Sequence, residues 1–231
     1  MLTPSSNTCL EPVTCAIVGD IPDVSVHFAR FPVTRISLAA NAIEQFDLEP
    51  MLVAARLLAD ARVHAIVWSG TSGAWLGLDA DRELCRRIRE VTGIPATTSS
   101  LAQVEAFHRY RVVRYALAVP YTEDVTVRIV NTYAREGFVC VREAHLGITD
   151  NFGFNEVRPS EIQALVAAVA VPEAQAISIV CTNFPAAPLV QELEERTRLP
   201  VFDSTILAVW KGLDLVGVRR PLLGWGRLLC G

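Results

Sequence analysis

The chain has 231 residues, 51% of them hydrophobic and 20% charged, enough apolar material for one large domain or two small lobes. Its formal net charge of -4 comes without a run of like charges, which argues against a nucleic-acid partner and leaves any acidic small substrate to be held by local donors. The first eight residues lack the basic start and apolar stretch of an export signal, and no apolar run approaches the ~18 residues of a membrane span; a cytoplasmic protein without membrane contact is expected.

Short apolar, β-branched runs alternate with longer amphipathic ones along the chain. Met1 to Thr3 leave room for only a very short leading strand before a polar turn at 4–8. A helix is expected near 48–61, a strand at 63–69, a helix at 79–92 stopped by Gly93, a strand at 94–98 and a helix at 101–108. Then follow a strand at 113–119, a helix at 122–136 stopped by Gly137, and a strand at 138–144. Helices at 159–170, 186–197 and 205–216 enclose strands at 176–181 and 200–202. This alternation predicts an α/β fold with mostly parallel sheet.

The two halves resemble each other. Ala65-Ile-Val-Trp-Ser-Gly-Thr-Ser72 lies over Ala176-Ile-Ser-Ile-Val-Cys-Thr-Asn183, each a strand ending in a small polar turn. Arg86-Arg-Ile-Arg-Glu-Val-Thr-Gly-Ile-Pro-Ala-Thr-Thr-Ser99 lies over Glu192-Leu-Glu-Glu-Arg-Thr-Arg-Leu-Pro-Val-Phe-Asp-Ser204, and Thr3-Pro-Ser-Ser-Asn-Thr8 over Val119-Pro-Tyr-Thr-Glu-Asp124. The shared order of these segments predicts an internal duplication. Two pseudo-symmetric lobes are expected, 1–112 and 113–204, with the segment 205–231 packing back on the first. In open α/β sheets, loops at the carboxyl ends of strands carry ligands. The turns 4–8, 70–73, 120–124 and 181–184 should therefore converge on a cleft between the lobes.

Four features of these turns carry chemistry. Cys181 ends an apolar strand ahead of an expected helix, whose N-terminal partial charge would lower its pKa; the alternative is a buried cysteine acting as a small hydrophobe. Gly70-Thr71-Ser72-Gly73 offers hydroxyls and backbone N–H groups that can cradle a carboxylate, although such residues also simply make turns. Tyr121 adds a phenolic donor or is a half-buried aromatic. Asn151, after Asp150, supplies an amide to the cleft or belongs to a turn closed by an Asx hydrogen bond.

Cys9, Cys15, Cys85, Cys140 and Cys230 lack the context of Cys181, and Cys9 alone is close enough to the first turn to watch. No C-x-x-C pair occurs, the sparse thiols argue for a reduced protein, and His27, His64, His108 and His145 have no ligand spacing. A metal site is not expected. G-x-G-x-x-G, P-loop, G-x-S-x-G and H-E-x-x-H patterns are missing too, so nucleotide binding and serine or zinc hydrolysis have no support.

With these residues in view, the chain resembles the aspartate/glutamate/hydantoin racemase superfamily, in its branch of maleate cis-trans isomerases and arylmalonate decarboxylases. Pro4-Ser-Ser-Asn-Thr8, Asp150-Asn151 and Cys181-Thr-Asn183 are similar to the isomerases, whose Asn residues and two cysteines surround a dicarboxylate. Gly70-Thr71-Ser72, Tyr121 and Gly224-Trp-Gly-Arg-Leu228 are similar to the decarboxylase, which also has glycine at the first cysteine position and holds negative charge with Thr, Ser and Tyr hydroxyls. The resemblance implies two lobes around a cleft, chemistry without cofactor or metal on a carbanion beside a carboxylate, and Cys181 as the catalytic residue. It implies substrate contacts from Asn7, Gly70, Thr71, Ser72, Tyr121, Asn151, Thr182 and Asn183.

Because Gly70 stands at the first thiol position, a two-cysteine racemization or isomerization is in doubt, whereas decarboxylation of a malonate-type acid needs one proton donor. A decarboxylase is therefore the leading expectation. The alternatives are a maleate-type isomerase using Cys181 as nucleophile and a non-catalytic carboxylate-binding protein. Phe184, Phe152 and Trp75 are candidates for an apolar wall that expels the departing carboxylate. The partner is expected to be a small carboxylate, and self-association into a homo-oligomer is left open.

Overall fold

The computed structural model describes residues 1–39 and 44–230. The first half runs Leu2–Pro4 (β1), Leu10–Val18 (α1), Ala29–Phe31 (β2), Leu48–Asp60 (α2), Ile66–Trp68 (β3), Gly73–Leu76 (α3), Leu78–Thr92 (α4), Ala96–Thr98 (β4) and Ser99–Arg109 (α5). The second runs Arg114–Val119 (β5), Glu123–Arg135 (α6), Val139–His145 (β6), Pro159–Val169 (α7), Ala176–Ile179 (β7), Val190–Thr197 (α8), Val201–Asp203 (β8) and Ser204–Leu215 (α9), with a last helix at Arg227–Cys230 (α10).

The strands form two four-stranded sheets, ordered β2-β1-β3-β4 and β6-β5-β7-β8, and the pairings within both are parallel. Each sheet is thus the same βαβ pattern used once, flanked by helices, an α/β architecture of two related halves. Strands covered on both faces read as continuous apolar runs, which is why Tyr115 to Val119 and Ala176 to Ile179 are buried throughout. Ser178 interrupts that run, and its hydroxyl is satisfied by donating to Gln103 Oε1 of α5 at 2.5 Å.

The duplication extends to individual hydrogen bonds. At the end of α4, Thr92 Oγ1 donates to Ile88 O and accepts from Ile94 N; at the end of α8, Thr197 Oγ1 donates to Leu193 O and accepts from Leu199 N. Ile66 N then donates to Pro95 O, and Ile177 N to Pro200 O. The next helices are capped by equivalent residues, Thr98 on Leu101 N and Asp203 on Thr205 N and Ile206 N. Gly93, the stop of α4, has φ +74°, and its counterpart Arg198 adopts the same left-handed conformation at φ 64°.

Some elements differ from the sequence expectation. α1, β2, α3 and α10 are short or unpatterned: α1 holds Pro12 in its first turn, where the missing N–H costs nothing, and β2 has three residues. The helix expected over 186–197 is a 3-10 turn, Ala187–Leu189, followed by α8 from Val190. α9 packs on α5, α1, β3 and β4 as well as on β8, so the last long helix rests on elements of the first sheet. Among the described residues no helix is long and apolar enough to cross a membrane.

Candidate active site

The turns that follow β1, β3, β5 and β7 meet at the carboxyl ends of the sheets. Asn7 Nδ2 donates to Thr182 Oγ1 at 3.2 Å, and Thr182 Oγ1 donates to Ser69 O at 3.2 Å, which joins three of the four turns. The fourth is tied in by Tyr121, whose hydroxyl lies 2.8 Å from Thr71 Oγ1 and interacts electrostatically with the Cys181 thiol. Cys181, Thr71, Ser72, Tyr121, Asn7, Asn151, Thr182 and Asn183 are all buried. The sequence-derived group, Gly70 included, is therefore one contiguous cluster rather than a scatter of turn residues.

Gly70 is the tightest point. A Cβ there would lie 2.1 Å from the Trp68 ring, so the indole occupies the space that a side chain at 70 would need. Trp68 is itself held, with Nε1 donating to Ser72 Oγ at 3.2 Å and its ring 5.0 Å from that of Phe31. The indole thus holds the Ser72 hydroxyl and packs on Gly70 so closely that a larger residue there would have to displace it.

Three asparagines stitch the halves together. Asn183 Oδ1 accepts from Thr8 N at 2.9 Å and Cys9 N at 3.1 Å, and its Nδ2 donates to Asn151 O. Asn151 Nδ2 donates to Ser6 Oγ at 2.7 Å, while Asp150 takes the Asx role by accepting from Gly153 N. Asn7 Oδ1 caps the start of α1 through Cys9 N and Leu10 N. Arg30, unmarked by any sequence signal, holds the same turn through Ser5 O and Asn7 O. Over this group the segment around Thr34 pairs with the 149–151 turn, Ile36 N to Thr149 O and Asn151 N to Thr34 O.

Burial dominates the electrostatics. The Cys181 thiol is pushed up to about 12, because burial outweighs the hydrogen bond from Tyr121 and those from the N–H groups of Asn183 and Phe184. The lowered pKa expected from a following helix is not found: α8 begins only at Val190, beyond reach of its dipole. Cys9 is likewise pushed up to about 12, by burial first and then by Asp203 and Cys181, so it sits on the Cys181 side of the cleft. Asp203, fully buried, rises to about 7 for the same reason. Burial also raises Tyr121, leaving it a neutral donor. Among the described residues no three His, Cys, Asp or Glu side chains group as a metal site.

Of the proposed wall, Phe184 and Trp75 are buried, but Phe152 is 51% exposed. Its place beside the site is taken by Phe154, packed edge-on against Tyr121 at 5.2 Å. The sequence offered two phenylalanines two residues apart, and only the 3-10 turn Gly153–Glu156 decides which one faces inward. A cavity of about 660 Å³ lies at the opposite ends of the first-sheet strands, beside Met1, His27 and His64, and is not lined by the thiol.

Two duplicated α/β halves meeting at a buried cluster of hydroxyls, amides and the Cys181 thiol define the class: a two-lobed protein of the aspartate/glutamate racemase-like superfamily. Within it the chain belongs to the arylmalonate decarboxylase family, whose model matches residues 12–229. It is 29% identical to the arylmalonate decarboxylase of Bordetella bronchiseptica over 206 residues, covering 86% of this chain and 85% of that protein. It is 25% identical to a maleate isomerase of Pseudomonas putida over 240 residues, covering 100% and 96%. The crystal structure of the maleate isomerase Iso from Pseudomonas putida S16 superposes with a TM-score of 0.89 at 24% identity, covering 100% of this chain and 96% of that one. Both curated relatives are enzymes, one a decarboxylase and one an isomerase.

Proposed function

We propose that the protein is a cofactor-independent decarboxylase of malonate-type dicarboxylic acids, with Cys181 as its proton donor. The observation that carries this reading is Gly70: the position has no thiol, and a Cβ there would lie 2.1 Å from the Trp68 ring, so a larger side chain would have to displace the indole. Racemization needs an acid/base on both faces of the carbon, and decarboxylation needs a proton on one.

In the proposed reaction the bond between the α-carbon and one carboxylate breaks, carbon dioxide leaves, and the electron pair stays on the α-carbon as an enediolate. The hydroxyls of Thr71 and Tyr121 turn from one another, and that of Ser72 donates while still accepting from Trp68 Nε1, so that all three hold the growing charge of the remaining carboxylate; one such donor is typically worth about 3 kcal/mol. Cys181 then gives its S–H proton to the α-carbon. A thiol kept protonated by burial suits that role, since a carbanion beside a carboxylate is a far stronger base than a thiolate. Phe184, Trp75 and Phe154 supply the apolar surface that disfavours the departing charge. Asn7, Asn151, Thr182 and Asn183 are the groups proposed to receive the rest of the substrate.

The amide cluster favours a second reading, cis-trans isomerization of a maleate-like acid with Cys181 as nucleophile. Proton NMR with a panel of malonates and maleate in deuterated water separates the two. Loss of malonate with one deuterium at the α-carbon, abolished in Cys181→Ala, is the expected result; undiminished turnover in that variant would overturn the mechanism. Fumarate from maleate would establish the isomerase. Silence on both, with ligand-dependent thermal stabilisation, would leave a carboxylate-binding protein.

A further inference from the structure

One ionisable group beside the thiol has no part in the chemistry above. Asp203 is 0% exposed. Its Oδ1 caps α9, accepting from Thr205 N at 2.9 Å and Ile206 N at 3.1 Å, while Oδ2 has no hydrogen-bond partner. Burying an unpaired carboxyl oxygen is costly, so its retention calls for a reason. Its place is set by the sheet: Asp203 is opposite Ile179 in the β7–β8 register, two residues before Cys181. Ser204 Oγ donates to Ile179 O at 3.0 Å and Thr205 Oγ1 to Thr182 O at 3.4 Å, pinning the start of α9 to the Cys181 turn. The titratable groups that feel Asp203 are Cys181 and Cys9, with Tyr121 reaching the pair through Cys181. The other charged groups packed here are Glu194 of α8, whose Oε1 accepts from Val201 N at the start of β8, and Arg227, which pairs with Glu194.

We propose that Asp203 is a positioning residue for the thiol: held on the strand beside the Cys181 turn with one buried oxygen unpaired, its carboxyl adds to burial in holding Cys181 as S–H, the proton-donating form, against the nucleophilic thiolate. This rests on the decarboxylase reading for its purpose, though not for its test. Two like charges at close range in an apolar surround repel strongly, so an ionised Asp203 makes the thiolate harder to form. With the Asp203 carboxyl at about 7, the restraint is absent in acid and grows as pH rises through neutrality. The first lobe has Thr98, a neutral cap, at the equivalent position, so capping alone does not require a carboxylate.

The test is peptide-resolved alkylation of the folded protein by iodoacetamide, comparing wild type with Asp203→Asn, which keeps the capping oxygen, and with Asp203→Ser, which caps like Thr98. Cys85, buried in α4 of the first lobe, reports general opening in the same sample. Relative to Cys85, Cys181 is expected to react roughly tenfold faster in both variants at pH 9, the equivalent of one pKa unit, and at the wild-type rate at pH 5.5. An unchanged Cys181-to-Cys85 ratio at pH 9, or an increase equal at both pH values, would overturn the proposal. No turnover is involved, so loss of the decarboxylase reading in the NMR experiment and loss of this one are separate outcomes.

Discussion

At the scale of single residues, position 70 and its surroundings carry the proposed choice of reaction. Glycine there was legible as the loss of one thiol; the occupant of the vacated space was not, because it depends on the side-chain rotamer of Trp68, which is fixed by Phe31 and Ser72 from distant segments. Gly70→Ala is expected to cost about 1–3 kcal/mol by overpacking. The cost should shrink when Trp68 is also cut to leucine, and strict additivity in a urea-denaturation double-mutant cycle would show that the two do not compete for space. Cys181 was likewise legible by position, but its proton affinity was not. Position suggested a helix dipole and a lowered pKa; the fold delays the helix to Val190 and buries the thiol, reversing the sign.

At the scale of elements, the long amphipathic helices and the apolar strands β5 and β7 were readable because each satisfies its pattern locally. β2 and α3 were not, since three or four residues carry too little periodicity, and α1 depends on Asn7 capping and Arg30 holding the turn before it. The duplication adds an element-level expectation of its own. Where Gly93 ends α4 at a left-handed φ, Arg198 ends α8 in the same conformation with a side chain that disfavours it. Arg198→Gly is therefore expected to stabilise the protein by about 1 kcal/mol, the usual penalty for a non-glycine residue there. A thermal melt unchanged or lowered in that variant would show that the exposed arginine contributes more than its backbone strain costs.

At the scale of the molecule, the two halves are joined over the thiol by side-chain amides. Asn183 is the centre of that junction, accepting from Thr8 N and Cys9 N and donating to Asn151 O. Asn183→Ala leaves Thr8 N and Asn151 O without their partner, Cys9 N keeping Asn7 Oδ1, and is expected to cost about 1–3 kcal/mol, with Cys181 alkylated faster as the halves part. Unchanged stability and unchanged alkylation would mean that the halves are held elsewhere. Other cross-half contacts, α9 on α5 and Ser178 on Gln103, also bring the two sheets together.

The sequence by itself determined the α/β class, the duplication and which turns meet, since hydrophobic periodicity and repeated order are properties of the chain read along its length. Only the tertiary structure decided how the cluster is used: that Trp68 fills the space at Gly70, that Phe154 rather than Phe152 faces Tyr121, that the asparagines bond across the halves, and that Asp203 stands beside two thiols. These are contacts between residues up to 175 positions apart, and their energies come from burial and from what each side chain meets, neither of which is encoded in any local window.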